Sequence, residues 1–202
     1  KKSLIEGQEN ERKRLSKDLH DGVGPLLTSL KLMVQTSELS SCDKKKINTV
    51  VDGTIDEIRR MTYNLMPSVL VDFGVGRALA SFIERMKKSS GIEIVYDDAT
   101  KGRAGRLSMD LDICIFRVSQ ELINNTLKHA HAKKITISLT EFNDKISLYY
   151  LDDGKGFDPK TIKYGAGLRN IRERVEIFNG YLSISSDHNG TEVEVEIPLK
   201  DE

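Results

Sequence analysis

A histidine followed by an aspartate, His20-Asp21, lies in the run KDLHDGVGPLL at 17–27. A neutral imidazole is a competent nitrogen nucleophile near neutral pH. Lys17 sits one turn earlier, at i−3, and adds a cation beside it. The residues that follow are unusual for a helix. Gly22 and Gly24 each cost roughly 1 kcal/mol against alanine, and Pro25 about 3. Pro25 cannot donate to the Asp21 carbonyl and clashes with it, which predicts a kink. Taken without context, His20 also reads as an ordinary exposed helix histidine.

Three further constellations lie downstream. In QELINNTLKHA (120–130), Glu121, Asn125, Lys128 and His129 fall at i, i+4, i+7 and i+8, which predicts one helical face. A carboxylate, an amide oxygen, a cation and an imidazole together suit Mg²⁺ and phosphates, since Mg²⁺ takes oxygen ligands and keeps several waters. Asn124 lies about 100° away round the helix and is the weaker candidate. In YLDDGKGFD (150–158) a strand ends on Asp152, with Gly154 and Gly156 behind it. A carboxylate there can accept from an exocyclic amine such as adenine's, and glycines let backbone approach a flat ligand. In YGAGLRNIRER (164–174), Gly165 and Gly167 open a helix whose bare N–H groups can seat phosphate oxygens. It lacks the Lys-Ser/Thr pair of a P-loop, and no parallel βαβ unit makes it a dinucleotide fingerprint. Each segment also has a plain structural reading: a solvated polar stripe, a D-G turn, and a flexible loop before a helix.

The elements that must position these residues follow from periodicity. Leu15, Leu19, Val23, Leu26, Leu30 and Met33 form a helix stripe. SELSSCDKKK (37–46) breaks it, with Ser41 or Asp43 as the expected N-cap of a second helix. Ile47, Val51, Ile55, Ile58, Met61 and Leu65 continue the pattern until Pro67 ends it. Two such helices make a hairpin that buries one seam poorly, and a four-helix dimer would bury both stripes. PSVLVDFGVG (67–76) reads as a linker. Beyond it helices are expected at 75–90, 108–130 and 167–179, stopped in turn by Gly91 and Gly180, with strands at 92–98, 134–141, 145–153, 181–187 and 191–199. The fold class is therefore α+β: a helical hairpin, residues 1–70, then residues 71–202 as helices on one face of a mixed, mostly antiparallel sheet.

Composition bounds the partners. The 202 residues carry 31 basic and 31 acidic side chains, a formal charge of zero, which gives no electrostatic case for direct nucleic-acid binding or for an anionic membrane. Cys42 and Cys114 are far apart, form no C-x-x-C pair and suggest a reducing compartment. His131 and His188 complete the four histidines without zinc spacing. No apolar run approaches the roughly 18 residues of a membrane span. The charged helical start is expected to be part of a longer chain, cytoplasmic here, with any membrane anchor ahead of residue 1.

The order of the motifs, closing on NGTEVEVEIP, resembles the GHKL ATP-binding (Bergerat) fold shared by histidine kinases and DNA gyrase. The N box resembles Glu121 to His129, the first G box Asp152 to Gly156, and the second Gly165 to Leu168. Thr191 resembles the threonine that helps hold adenine. The resemblance implies ATP and Mg²⁺ as cofactors, with Asp152 reading the adenine amine and Gly154 lining its turn. Asn125 would be the metal ligand with Glu121 beside it, Lys128 and His129 would face the phosphates, and residues 157–164 would be a short lid. ERKRLSKDLHDGVGPLL (11–27) resembles the phosphoacceptor helix of the histidine kinases that partner NarL/LuxR-type response regulators. That implies a homodimer, His20 as phosphate acceptor, Asp21 fixing its tautomer, and a receiver domain as partner. Kinases of this group often carry glutamine where Pro25 stands, a residue tied to phosphatase activity, so dephosphorylation of the regulator is doubtful here. The competing expectations are a GHKL ATPase or serine kinase, and a degenerate kinase acting as a scaffold.

Overall fold

A computed structural model describes residues 2–102, 107–157 and 166–199. The chain divides into two compact units, Lys1–Ser68 and Val69–Glu202.

The first unit is a helical hairpin. Helix α1 (Lys2–Asp18) runs into a π-helical turn, Leu19–Val23, and then into α2 (Gly24–Thr36), which packs with α1 against α3 (Ser41–Leu65). The kink expected at Pro25 is thus a π-bulge. Widening the turn to i→i+5 bonding is a known way to absorb a residue that cannot join the α ladder. It also re-phases the helix by one residue. Leu19 and Val23 are half-buried in the π turn; beyond it the line continues through Leu27, Lys31 and Val34, whereas Leu26, Leu30 and Met33 of the expected stripe are exposed, as is Leu15 ahead of the turn. Lys31 Nζ reaches Asp52 Oδ1 on α3 at 2.7 Å. The cap of α3 is Ser40, not Ser41 or Asp43: its hydroxyl oxygen accepts from the Asp43 N–H at 3.2 Å and its O–H donates to Asp43 Oδ2 at 2.7 Å.

In the second unit, part of the expected linker folds as α4 (Ser68–Phe73), which buries Leu70. Helix α5 (Val75–Ser90) ends on Gly91, whose φ of 70° is left-handed. Strand β1 (Glu93–Ala99) follows, then α6 (Met109–Asn125), capped by the Ser108 side chain, and a second π-helical turn, Thr126–Ala130. Strands β2 (Lys134–Glu141) and β3 (Lys145–Asp152) form the expected hairpin. Helix α7 (Ala166–Ile177), β4 (Tyr181–Asp187) and β5 (Gly190–Pro198) complete the unit. The chain leaves α7 through Asn179 at φ 54°, one residue before the expected stop at Gly180.

The sheet order is β1-β2-β3-β5-β4, with β1 parallel to β2 and the other pairs antiparallel. Alternation decides its two faces. Ile135, Ile137, Leu139, Ile146, Leu148, Tyr150, Val193, Val195 and Ile197 are buried, together with Phe82 and Phe116 of α5 and α6, whose rings meet edge-on at 5.9 Å.

Candidate functional site

Asp152 continues the buried period of Ile146, Leu148 and Tyr150, so the pleat carries a carboxylate inward at the end of β3. Its partner across the ladder is Thr191 on β5, also buried. Such a carboxylate requires hydrogen bonds. Asp152 Oδ1 accepts from the Gly154 N–H at 2.9 Å, and Oδ2 accepts from the Thr126 hydroxyl at 2.7 Å. Tyr150 Oη lies 2.6 Å from the same Thr126 oxygen. A carboxylate offers about four lone-pair positions. Two are used here, which leaves capacity for a donor from a ligand.

Around this pair the motifs are tied together. The Lys155 N–H donates to the Ala130 carbonyl at 2.9 Å, linking the turn after Asp152 to the end of the Thr126–Ala130 turn. Gly156 adopts φ 58°, and a Cβ there would stand 1.8 Å from the Asp187 carbonyl oxygen, so only glycine fits. The Ser186 hydroxyl lies 2.9 Å from Thr191 Oγ1 and accepts from the Phe157 N–H at 2.9 Å, anchoring half-buried Phe157.

Glu121 and Asn125 stand one turn apart at the end of α6 and are half-buried. Both converge on the first turn of α7: a Cβ on Gly167 would lie 2.1 Å from Glu121 Oε1 and 3.2 Å from Asn125 Nδ2. Leu168 follows in the same turn, half-buried. Gly165 and, apart from Phe157, the lid expected at 157–164, Tyr164 included, lie outside the described residues. Among the described residues no group of three or more His, Cys, Asp or Glu side chains could hold a metal. A pair of oxygen donors still fits Mg²⁺, which binds through one or two side chains plus phosphates and water.

The last two members of the expected face Glu121-Asn125-Lys128-His129 lie in the π-helical stretch after α6. Helical spacing holds to Asn125, but Thr126–Ala130 is π-helical, so an offset computed on 3.6 residues per turn no longer applies. Lys128 and His129 are exposed, while Thr126 is turned inward onto Asp152. Sequence reasoning missed Thr126, Tyr150 and Ser186. A threonine in a helix pattern signals nothing by itself, and only the cross-strand pairing reveals Ser186.

In the hairpin, His20 and Asp21 lie in the π turn, and His20 Nδ1 is 2.9 Å from Asp21 Oδ1. The His20 side chain is 79% exposed, so its other ring nitrogen, Nε2, is accessible to a reactant. Neither Cys42, exposed, nor Cys114, buried, is in a disulfide. No helix among the described residues is long and apolar enough to cross a membrane.

The family described as "Histidine kinase" matches residues 11–70, and "Histidine kinase-, DNA gyrase B-, and HSP90-like ATPase" matches residues 111–201. The chain is 35% identical to the oxygen sensor histidine kinase NreB of Staphylococcus carnosus over 98% of its own length. It spans 59% of that relative. Among solved structures, the histidine kinase domain of the blue-light activated kinase of Erythrobacter litoralis EL346 superposes with a TM-score of 0.60 at 14% identity, covering 96% of this chain and 94% of that one. The Acinetobacter baumannii histidine kinase AdeS gives a TM-score of 0.50 at 14% identity, covering 90% and 98%. At these identities the structural likeness is one of fold.

Proposed function

The chain belongs to the histidine kinase family, and from that premise we propose that it is the catalytic core of a sensor histidine kinase. Residues 1–70 serve as the dimerisation and phosphotransfer hairpin, and residues 71–202 as the ATP-binding domain. ATP is the phosphate donor. Asp152 and Thr191 take the adenine, the Asp152 carboxylate accepting from the 6-amino group. Asn125, with Glu121 beside it, would hold Mg²⁺, which when bound neutralises charge on the triphosphate.

The observation that carries the reading is the 2.9 Å contact between His20 Nδ1 and Asp21 Oδ1. With Nδ1 donating to Asp21, the lone pair of the neutral imidazole sits on Nε2, the exposed nitrogen. Nε2 forms a bond to the γ-phosphorus as the bond to the bridging oxygen breaks and ADP departs. Positive charge that builds on the ring is met by Asp21 through the Nδ1 proton. The phosphoryl group then passes to an aspartate carboxylate of a receiver domain, and NarL/LuxR-type regulators fit the hairpin's resemblance. A second copy of the chain covers the exposed Leu26, Leu30 and Met33.

Incubation with γ-labelled ATP tests this. The expected label is acid-labile, stable to base and absent from His20→Gln. Label in His20→Gln equal to wild type, or label that survives acid, would overturn the reading.

A further inference from the structure

The carboxylate expected to read the nucleotide base does not stand alone. Thr126 Oγ1 is 2.7 Å from Asp152 Oδ2 and 2.6 Å from Tyr150 Oη, and Tyr150 Oη is 3.3 Å from the Leu122 carbonyl. All three side chains are buried. Each hydroxyl has one hydrogen to give. If Thr126 gives its hydrogen to Asp152, Tyr150 must donate to Thr126, and its contact with Leu122 is the one left long. That arrangement fits the two short distances and the long one. The opposite direction, from Asp152 through Thr126 and Tyr150 to Leu122, would make Asp152 a donor and end on the longest contact. Burial holds the Tyr150 hydroxyl well above its usual range, so it remains a donor.

We propose that Thr126, held by Tyr150, is a positioning residue that fixes Asp152 as an acceptor and so sets the preference for 6-amino over 6-oxo purine nucleotides. The inference rests on the nucleotide reading above. The last torsion of an aspartate is broad, so little in the side chain itself holds the carboxylate plane. Two donors do so here: the Gly154 N–H on Oδ1 and the Thr126 hydroxyl on Oδ2. The lone pairs left over then have a fixed direction. A 6-amino group presents an N–H to them. A 6-oxo group presents a second acceptor and is rejected by repulsion between unpaired polar atoms. With Thr126 silent the carboxylate can turn, and the contrast between the two bases weakens.

The test measures the affinity of the 202-residue chain for ATP and for inosine triphosphate, which differ at purine position 6. Thr126→Val keeps the shape and removes the hydroxyl. It should weaken ATP binding about tenfold and leave inosine triphosphate nearly unchanged, so the ratio of the two affinities falls. Thr126→Ser should restore the ratio to within about threefold of wild type, since it keeps the donor. Tyr150→Phe, which acts only through Thr126, should give an intermediate ratio and carries the test if Thr126→Val fails to fold. Equal losses for both nucleotides, or a Ser variant no better than Val, would overturn the proposal. A wild-type chain that binds neither nucleotide would overturn the nucleotide reading itself, and this inference with it.

Discussion

Asp152 and Thr191 face each other across the β3–β5 ladder, and both side chains are buried on the helix-covered face of the sheet. That relationship joins a motif at residue 152 to a residue almost forty positions later, and it explains why neither is informative alone. A carboxylate and a hydroxyl on facing positions offer an acceptor and a donor–acceptor to one flat ligand edge.

Asp152→Asn preserves shape but replaces the charged acceptor with an amide. Hydrogen bonds to charged groups contribute roughly 1.5–3 kcal/mol, so affinity for ATP should fall about ten- to a hundredfold. Thr191→Val should cost less, about threefold to tenfold, because a neutral hydroxyl is lost. Calorimetric titration with Mg·ATP checks both. Undiminished binding by the Asp152→Asn protein would remove Asp152 from the site.

The exposed apolar line on the hairpin predicts a quaternary effect. Leu26, Leu30 and Met33 are each between 42% and 69% exposed, which is costly for a lone hairpin. Introducing charge there, as Leu30→Glu with Met33→Lys, should convert a dimer to a monomer in sedimentation velocity while nucleotide binding survives. A double variant that sediments as wild type would place the dimer seam elsewhere.

The strands, the glycine turn after Asp152 and the hairpin were legible because each depends on a local period or on glycine. The two π-helical turns were not. A period of 3.6 assigned to the whole stripe puts Leu26, Leu30 and Met33 inside, but one extra residue per bulge moves the buried line to Leu27, Lys31 and Val34. The same arithmetic gives no sign that Thr126 turns inward onto Asp152. Pro25 signalled the first bulge as a kink. The second has no proline or glycine to announce it. The Asp152–Thr126 contact pairs a helix end with a strand end, which no single-segment pattern contains.

Asp153 predicts a pH effect. Its Oδ1 accepts from the backbone N–H groups of Lys133 and Lys134 at 2.7 and 2.9 Å, and these, Lys134 first, hold its carboxyl below the usual value. A group depressed in the folded state contributes stability that is present above the unfolded value of about 3.9 and lost as pH falls through the folded one. Asp153→Asn should therefore lower the denaturation midpoint at pH 7 and leave it little changed near pH 2. A constant difference between the two proteins across that range would exclude the linkage.

Pro25 gives the last prediction. It stands two residues after the end of the π turn that carries His20, at the second position of α2. Pro25→Gln returns a backbone donor, and glutamine is favoured over proline by roughly 3 kcal/mol in a helix interior. Because the bulge already relieves part of that strain, the expected gain is about 1–2 kcal/mol in urea unfolding of the hairpin. The substitution also sets a side-chain amide one π turn beyond His20, where it can orient a water. Release of inorganic phosphate from a phosphorylated receiver domain should then rise, with His20 labelling retained. The two readouts separate the causes. Greater stability without faster release would make Pro25 a backbone device only. Faster release at unchanged stability would assign its effect to the missing amide.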